Sequence, residues 1–84
     1  MDWAKVGEVT HYFGKASVAV LALDDDLQIG DWIAFVRDGE LVFEQEVTSM
    51  QIDYQDIVAA EPGDNIGLLV AQKVKPGMEV YRRL

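Results

Sequence analysis

Residues 61–70 read EPGDNIGLLV, and this stretch decides the fold. Pro62 fixes its own φ and Gly63 tolerates the positive φ that the next turn position needs, so the first four residues predict a tight turn. The apolar run that follows predicts a strand. Gly67 lies inside that run, where a glycine costs stability unless it marks a bulge or admits a neighbouring backbone. We expect a close backbone approach at Gly67.

Short apolar runs bounded by turn-forming residues recur along the rest of the chain, and helical periodicity is missing. Such spacing is typical of an all-β sandwich or barrel. The clearest local signal is Asp38-Gly39, which favours a two-residue type I′ hairpin. We also expect a phase break at Gly7, a bend near Thr48 and no internal repeat. The predicted strands are 5–13, 17–23, 32–37, 40–47, 57–59, 65–71 and 78–82, with a loop from 53 and a turn at 76–77.

The length and composition predict one globular domain, residues 1–84, with one modest core. No apolar run approaches the ~20 residues that span a bilayer, and the first residues lack the layout of a signal peptide. We therefore expect a cytoplasmic protein with no membrane partner. The chain has no cysteine, which excludes disulfides and thiolate metal sites.

The formal net charge of the chain is −8. Nucleic-acid binders usually carry a basic footprint that releases counterions from phosphates, so this charge disfavours direct nucleic-acid binding. Four of the seven basic residues nevertheless fall near the C-terminus. They form either the solvated ends of a final hairpin or a local basic patch: Lys73, Lys75, Arg82 and Arg83.

Groups suited to catalysis or metal binding are few. The run 24–26 is three aspartates, but consecutive residues of an extended chain point to opposite faces, and the other ligands of a calcium loop are missing. His11 is the only histidine, and we expect it to be a half-buried packing residue. No Gly-x-x-x-x-Gly-Lys loop for nucleotide phosphates is present. We predict a protein that is not an enzyme and has no cofactor, metal or nucleotide.

Four motifs, in order, resemble those of the second domain of translational GTPases, the β-barrel that follows the GTP-binding domain in elongation factor Tu and initiation factor Two. They are Leu-x-x-Gly-Asp at 27–31, the strand at 47–51, Gly-Asp-Asn-Ile-Gly-Leu at 63–68 and Lys-Pro-Gly-Met-Glu-Val at 75–80. The resemblance implies an all-β fold, a small closed or partly closed antiparallel β-barrel of about six or seven strands. It also implies a single-domain relative of that family.

The same resemblance implies a binding function. In elongation factor Tu the barrel helps to hold the aminoacylated end of tRNA, and Asn65 matches the asparagine of that pocket. The basic pair that accompanies this asparagine in the family aligns with Asp53-Tyr54, which removes two phosphate partners. We therefore predict a non-catalytic, translation-factor-like module that docks on a protein or ribonucleoprotein. The predicted RNA or partner contacts are Asn65, Tyr54, Lys73, Lys75, Arg82 and Arg83.

Two alternative functions stay open. One is a structural or protein-interaction barrel unrelated to translation, of the kind that some peptidase families use as accessory domains. The other is weak tRNA or RNA binding through Asn65 and the basic C-terminal residues. We expect most aromatic side chains to be core or edge-covering residues; the others offer either a base-stacking platform or, when rimmed by charge, the anchors of a protein contact, which we favour. They are Trp3, Tyr12, Phe13, Trp32, Tyr54 and Tyr81.

Overall fold

The computed structural model describes residues 2–84. Over this range the chain forms β-strands and no helix, so the all-β prediction is confirmed. None of its elements is a helix able to span a membrane. The ten strands are β1 (Trp3–Phe13), β2 (Val18–Leu23), β3 (Leu27–Gln28), β4 (Trp32–Arg37), β5 (Glu40–Glu46), β6 (Met50–Ile52), β7 (Gln55–Ile57), β8 (Ala59–Ala60), β9 (Asn65–Leu69) and β10 (Glu79–Arg83).

Eight strands form one antiparallel sheet in the order β5-β4-β10-β1-β2-β9-β6-β7, while β3 pairs with β8. Because β5 and β7 are the two edges of this sheet, the sheet is not closed into the predicted barrel. The predicted bend near Thr48 is confirmed, since β5 ends at Glu46 and the chain resumes as β6 at Met50. The strand count exceeds the predicted six or seven because strands of two or three residues leave no periodicity in a sequence.

One apolar cluster fills the interior of the curved sheet. The alternation of β2 and β4 sends every second side chain into it, as expected for strands with one face on a core. Phe35 and Phe43 stack there across the β4–β5 hairpin, with ring centroids 4.6 Å apart. The buried members are Val6, Val9, Ala19, Leu21, Leu23, Leu27, Ile33, Phe35, Phe43, Val47, Met50, Ala60, Ile66, Leu68, Val70, Val74, Met78 and Val80.

The predicted Asp38-Gly39 hairpin is confirmed. Asp38 and Gly39 have φ of 52° and 80°, the positive values that a type I′ turn needs at both central positions. A second hairpin of this kind was not predicted: Asp53 and Tyr54 join β6 to β7 with φ of 51° and 65°. A tyrosine rarely adopts positive φ, so the sequence predicted only a loop there.

A seven-residue turn pattern occurs three times within residues 2–84. Each copy has a glycine at its centre, and Gly30, Gly63 and Gly77 have φ of 96°, 91° and 93°. In each copy the residue after the glycine donates its N–H to the carbonyl two residues before the glycine. Buried residues lie three positions to either side of the glycine: Leu27 and Ile33, Ala60 and Ile66, Val74 and Val80.

The three copies of this turn share little in sequence beyond the glycine and the buried residue on either side of it. In the first two copies an aspartate side chain closes the turn as well. Asp31 Oδ2 accepts the N–H of Gln28 at 2.9 Å, and Asp64 Oδ2 accepts the N–H of Glu61 at 2.9 Å. Such aspartate-to-backbone bonds are a common reason for aspartate in turns.

The close backbone approach lies at Gly7 rather than at Gly67. A Cβ on Gly7 would be 2.3 Å from the carbonyl oxygen of Ala22, whereas the nearest atom to a Cβ on Gly67 is a side-chain carbon of Val18 at 3.3 Å. The phase break at Gly7 is confirmed, because the pairing of β1 with β10 shifts register between Lys5 and Gly7. A bulge glycine therefore lets β1 press against β2.

Candidate functional site

The four C-terminal basic residues are not gathered into one patch. Lys73 and Lys75 precede β10, while Arg82 and Arg83 lie at its far end. Five strand residues span roughly 13–16 Å, and neighbouring residues of a strand face opposite sides of the sheet. Arg82 and Arg83 therefore point to opposite faces of the sheet.

Both arginines have partners within the chain. Arg82 Nη2 forms an ion pair with Asp25 Oδ2 at 3.4 Å, so one of the three consecutive aspartates anchors the end of β10. The guanidinium of Arg83 lies over the ring of Trp32, 5.3 Å from its centroid, within the range of a cation–π contact. Each side chain thus has a structural role, and contact with an RNA or protein partner stays a prediction for both.

Asn65 and Tyr54 are exposed at one end of the sheet. Asn65 begins β9 opposite Ala22 of β2, and Tyr54 is 97% exposed at the tip of the β6–β7 hairpin. Because Gln51 pairs with Gly67, the hairpin tip and the start of β9 lie at the same end of their strands. The contact roles of Asn65 and Tyr54, like those of Lys73 and Lys75, stay predictions.

His11 is exposed, so the expectation of a half-buried residue is wrong. The pairing of β1 with β2 shifts register between Val9 and His11, and Tyr12 packs against the core instead. The His11 ring packs edge-on against Phe13, with centroids 4.3 Å apart. Across residues 2–84, no group of three or more histidine, aspartate or glutamate side chains is placed to hold a metal ion.

A groove that the sequence did not predict lies on the outer face of β1, β10, β4 and β5. Its volume is about 380 Å³, which falls in the range of small-ligand sites. Most of its surface is apolar, with two carboxylates among the side chains. The lining residues are Trp3, Ala34, Val36, Gly39, Leu41, Glu44, Glu79 and Tyr81.

The depth of the groove comes from a small residue between larger ones. Ala34 faces outward on β4, directly opposite Tyr81 of β10 on one side and Glu44 of β5 on the other. Directly paired residues of antiparallel strands project from the same face, so the two long side chains stand above Ala34 as walls. Ala34 is thus buried at the floor, with Val36 beside it.

The walls are held by hydrogen bonds at both rims. On one side Trp32 Nε1 donates to Glu44 Oε1. On the other, the Tyr81 hydroxyl donates to Glu79 Oε1 at 3.3 Å, and Lys5 Nζ lies 3.3 Å from Glu79 Oε2. Hydrogen bonds to Glu8 and then to Glu79 raise the pKa of Lys5 above its ordinary value. Glu79 is thus neutralised by a neighbour, whereas Glu44 has no ion pair in the described part of the chain.

Two features of the sequence carried a signal for this groove. β4 is apolar at outward positions as well as inward ones, which is unusual for a strand with one solvated face. Simple alternation would put Leu41 on the same face as the buried Phe43, but the register shift between Phe35 and Val36 turns it outward, where it is 58% exposed. The groove therefore depends on a bulge that alternation does not reveal.

Comparisons with curated proteins point to peptidases. The chain is 35% identical over 77 residues to an uncharacterized protease of Methanocaldococcus jannaschii, covering 92% of this chain and 19% of that protein. It is 31% identical over 78 residues to a collagenase of Porphyromonas gingivalis, covering 92% of this chain and 22% of that protein. The chain thus spans about a fifth of the length of these relatives. No protein-family model matches it.

Solved structures give the fold. The C-terminal domain of a Geobacillus thermoleovorans protein assigned to the U32 peptidases matches with a TM-score of 0.85 at 17% identity, covering 94% of this chain and 91% of that domain. Its selenomethionine variant matches with a TM-score of 0.84 at 19% identity, covering 92% and 96%. This chain has the fold of that domain.

The resemblance to the second domain of translational GTPases is therefore wrong, and so is the translation-factor-like function drawn from it. Three of the four motifs that carried it, at 27–31, 63–68 and 75–80, fall on the copies of the repeated glycine turn. The fourth, at 47–51, spans the bend between β5 and β6. Turn chemistry fixes how strands meet at a corner, and unrelated β-domains share it.

Proposed function

We propose that this chain is a non-catalytic, substrate-binding domain of a U32-type peptidase. The observation that carries the proposal is the share of each protein that the similarity spans. They span nearly all of this chain and nearly all of the solved C-terminal domain, but only about a fifth of the protease and collagenase relatives. This coverage supports the proposal that the shared part is an accessory domain and that the reaction belongs to the rest of the larger proteins.

Protein, rather than nucleic acid, is the ligand class that we propose. The net charge of −8 opposes phosphate binding, and Arg82 and Arg83 already have intramolecular partners. The groove supports a binding role, since ligand sites are typically concave and mostly apolar with a few polar groups. The Porphyromonas gingivalis relative is named a collagenase, so we propose denatured collagen chains as the substrate class.

Retention on immobilised gelatin, combined with a cleavage assay, tests this proposal. The purified chain is expected to be retained on a gelatin matrix, but not on a matrix that carries a folded globular protein. It is expected to release no fragments from labelled gelatin above the buffer rate. Gelatin cleavage that co-purifies with the chain and disappears in His11→Ala would contradict the non-catalytic role, and absence of retention would contradict substrate binding.

A further inference from the structure

We infer that the outer-face groove binds a peptide segment in the polyproline II conformation that carries a basic side chain beside its apolar residues. This inference rests on the proposed function and specifies the conformation and charge of the ligand. It is drawn from the aromatic wall, the saturated backbone beneath the groove and the distribution of carboxylates around it.

Trp3 and Tyr81 form an aromatic side of the groove, which suits a ligand with a rigid, apolar surface. Trp3 pairs with Arg83, and Lys5 pairs with Tyr81, so Trp3 and Tyr81 are diagonal neighbours on adjacent strands of one face. Val36 and Leu41 provide the aliphatic side of the same groove. Grooves lined by aromatic residues recognise proline-rich segments because the extended helix is preformed and loses little entropy on binding.

The backbone under the groove excludes a ligand that adds to the sheet. β4 is paired with β5 and β10, and β10 is paired with β4 and β1, so both strands at the floor have neighbours on each side. A strand lying over this floor would have no edge to pair with, although β5 at the side of the groove is an edge strand. A ligand over the floor therefore receives no backbone pairing from it, which suits polyproline II, whose backbone groups are solvated.

A hydrogen-bond donor at the wall favours polyproline II over a helix. The indole N–H of Trp3 makes no hydrogen bond to any of residues 2–84, in contrast to that of Trp32, which donates to Glu44. The carbonyls of a polyproline II segment are free to accept such a bond, whereas those of a helix are used within the helix. Trp3 thus offers both a ring face and a donor to an extended, proline-containing chain.

The carboxylates select a basic side chain. β5 carries Glu40, Glu44 and Glu46 and no lysine or arginine. Glu79 already faces Lys5, whereas Glu44 makes no ion pair within residues 2–84, although Arg83 lies over the ring of Trp32, which holds Glu44 at the rim. An arginine of the ligand would meet Glu44 while the adjacent apolar residues fill the groove, so charge complementarity points to a cationic segment.

Titration of the full chain with three synthetic peptides, followed by calorimetry, tests this inference. The first is proline-rich with one arginine, the second replaces arginine by glutamate, and the third replaces the prolines by alanine. The first peptide is expected to bind roughly tenfold more tightly than either of the others.

Two variants test the residues of the groove. Trp3→Ala is expected to weaken binding of the first peptide about tenfold. Glu44→Gln is expected to weaken it about threefold and to make the affinity less dependent on salt. Val58→Ala removes a 76% exposed apolar side chain outside the groove and is expected to change binding less than about twofold.

Other results would overturn the assignment of the groove. These are equal affinity for the proline and alanine peptides, or unchanged affinity in both Trp3→Ala and Glu44→Gln. Should Trp3→Ala fail to fold by circular dichroism, Glu44→Gln and Trp3→Phe replace it. A dimer in sedimentation that Glu44→Gln or Trp3→Phe dissociates would make a second copy the occupant. Retention on gelatin that these variants leave unchanged would preserve the proposed function while removing the groove as its site.

Discussion

The side chain of Gln45 in β5 donates from Nε2 to the carbonyl oxygen of Leu69 at the end of β9, with a distance of 2.9 Å. Its Oε1 accepts the N–H of Ala71 at 2.7 Å. β5 and β9 are not neighbours in the sheet, so one side-chain amide makes the pair of bonds that an adjacent strand would otherwise make. The edge strand β5 is thus tied to the end of β9 by the side chain of Gln45.

Replacement of Gln45 by alanine is expected to lower the free energy of unfolding by about 1–2 kcal/mol, since two hydrogen bonds are lost at a site that water reaches. The amide of Ala71 is expected to exchange its hydrogen faster in the variant. Gln72→Ala, at an exposed position with no side-chain bond among the described residues, is the control and should change stability little. Equal stability of the two variants in urea would show that the hydrogen bonds between β5 and β9 do not contribute to the free energy of unfolding.

Gly7→Ala is expected to destabilise the fold by roughly 2 kcal/mol or more, since overpacking of this kind forces backbone shifts. The new Cβ would be 2.3 Å from the Ala22 carbonyl oxygen, which belongs to the paired strand and cannot rotate away. Gly14→Ala is the matched control, because its nearest atom is a tyrosine side-chain carbon at 3.6 Å. Chemical denaturation of both variants gives the comparison, and similar midpoints would contradict the close approach of β1 and β2.

Tyr54→Gly is expected to raise the free energy of unfolding by about 1 kcal/mol, because positive φ is unfavourable for a residue with a Cβ. The side chain is 97% exposed, so its removal loses almost no packing. Tyr54→Ala keeps the Cβ and is expected to have little effect. Thermal melts of the two variants distinguish these outcomes, and a destabilised Tyr54→Gly would mean that the tyrosine packs against a neighbour.

The ion pairs of Lys5 make stability depend on pH in the alkaline range. The pKa of Lys5 is higher in the folded chain than in the unfolded one, so folding favours the charged form. Its contribution is therefore complete below the unfolded value of ~10.4 and is lost as pH rises through the folded pKa. The difference in melting temperature between the parent chain and Lys5→Gln should shrink above that value. Lys15→Gln, at an exposed turn, should show no such trend.

Direct RNA binding is expected to be undetectable in a mobility-shift assay with tRNA at low salt. The chain carries a net charge of −8, and the lysine and arginine pairs lie at opposite ends of β10. A shift at low salt that vanishes in the Arg82→Ala, Arg83→Ala double variant would instead support the nucleic-acid alternative.

Short-range turn chemistry made the fold class predictable. The Asp38-Gly39 hairpin, the turns at Gly63 and Gly77 and the bend near Thr48 each follow from a few adjacent residues, and all lie where the sequence places them. The same turns occur at the corners of unrelated β-domains, so they do not distinguish one family from another. The similarity to part of two peptidases is visible only over the whole chain.

The candidate site was not predictable from the same signals, because it depends on pairing between distant segments. Trp3 and Tyr81 meet only when the first strand lies beside the last. Leu41 reaches the groove only through a bulge at Val42 in its own strand, and the ion-pair partner of Arg82 is an aspartate 57 positions away. Alternation along one strand contains no information of this kind.

Binding of gelatin fragments in the groove can be mapped by the backbone amide NMR spectrum of the chain. We expect the largest shifts on the outer face, at Trp3, Val36, Leu41 and Tyr81, and we expect them to saturate with added fragment. Shifts confined to Tyr54 and Asn65 at the other end of the sheet, or no shifts at saturating fragment, would contradict binding in the groove.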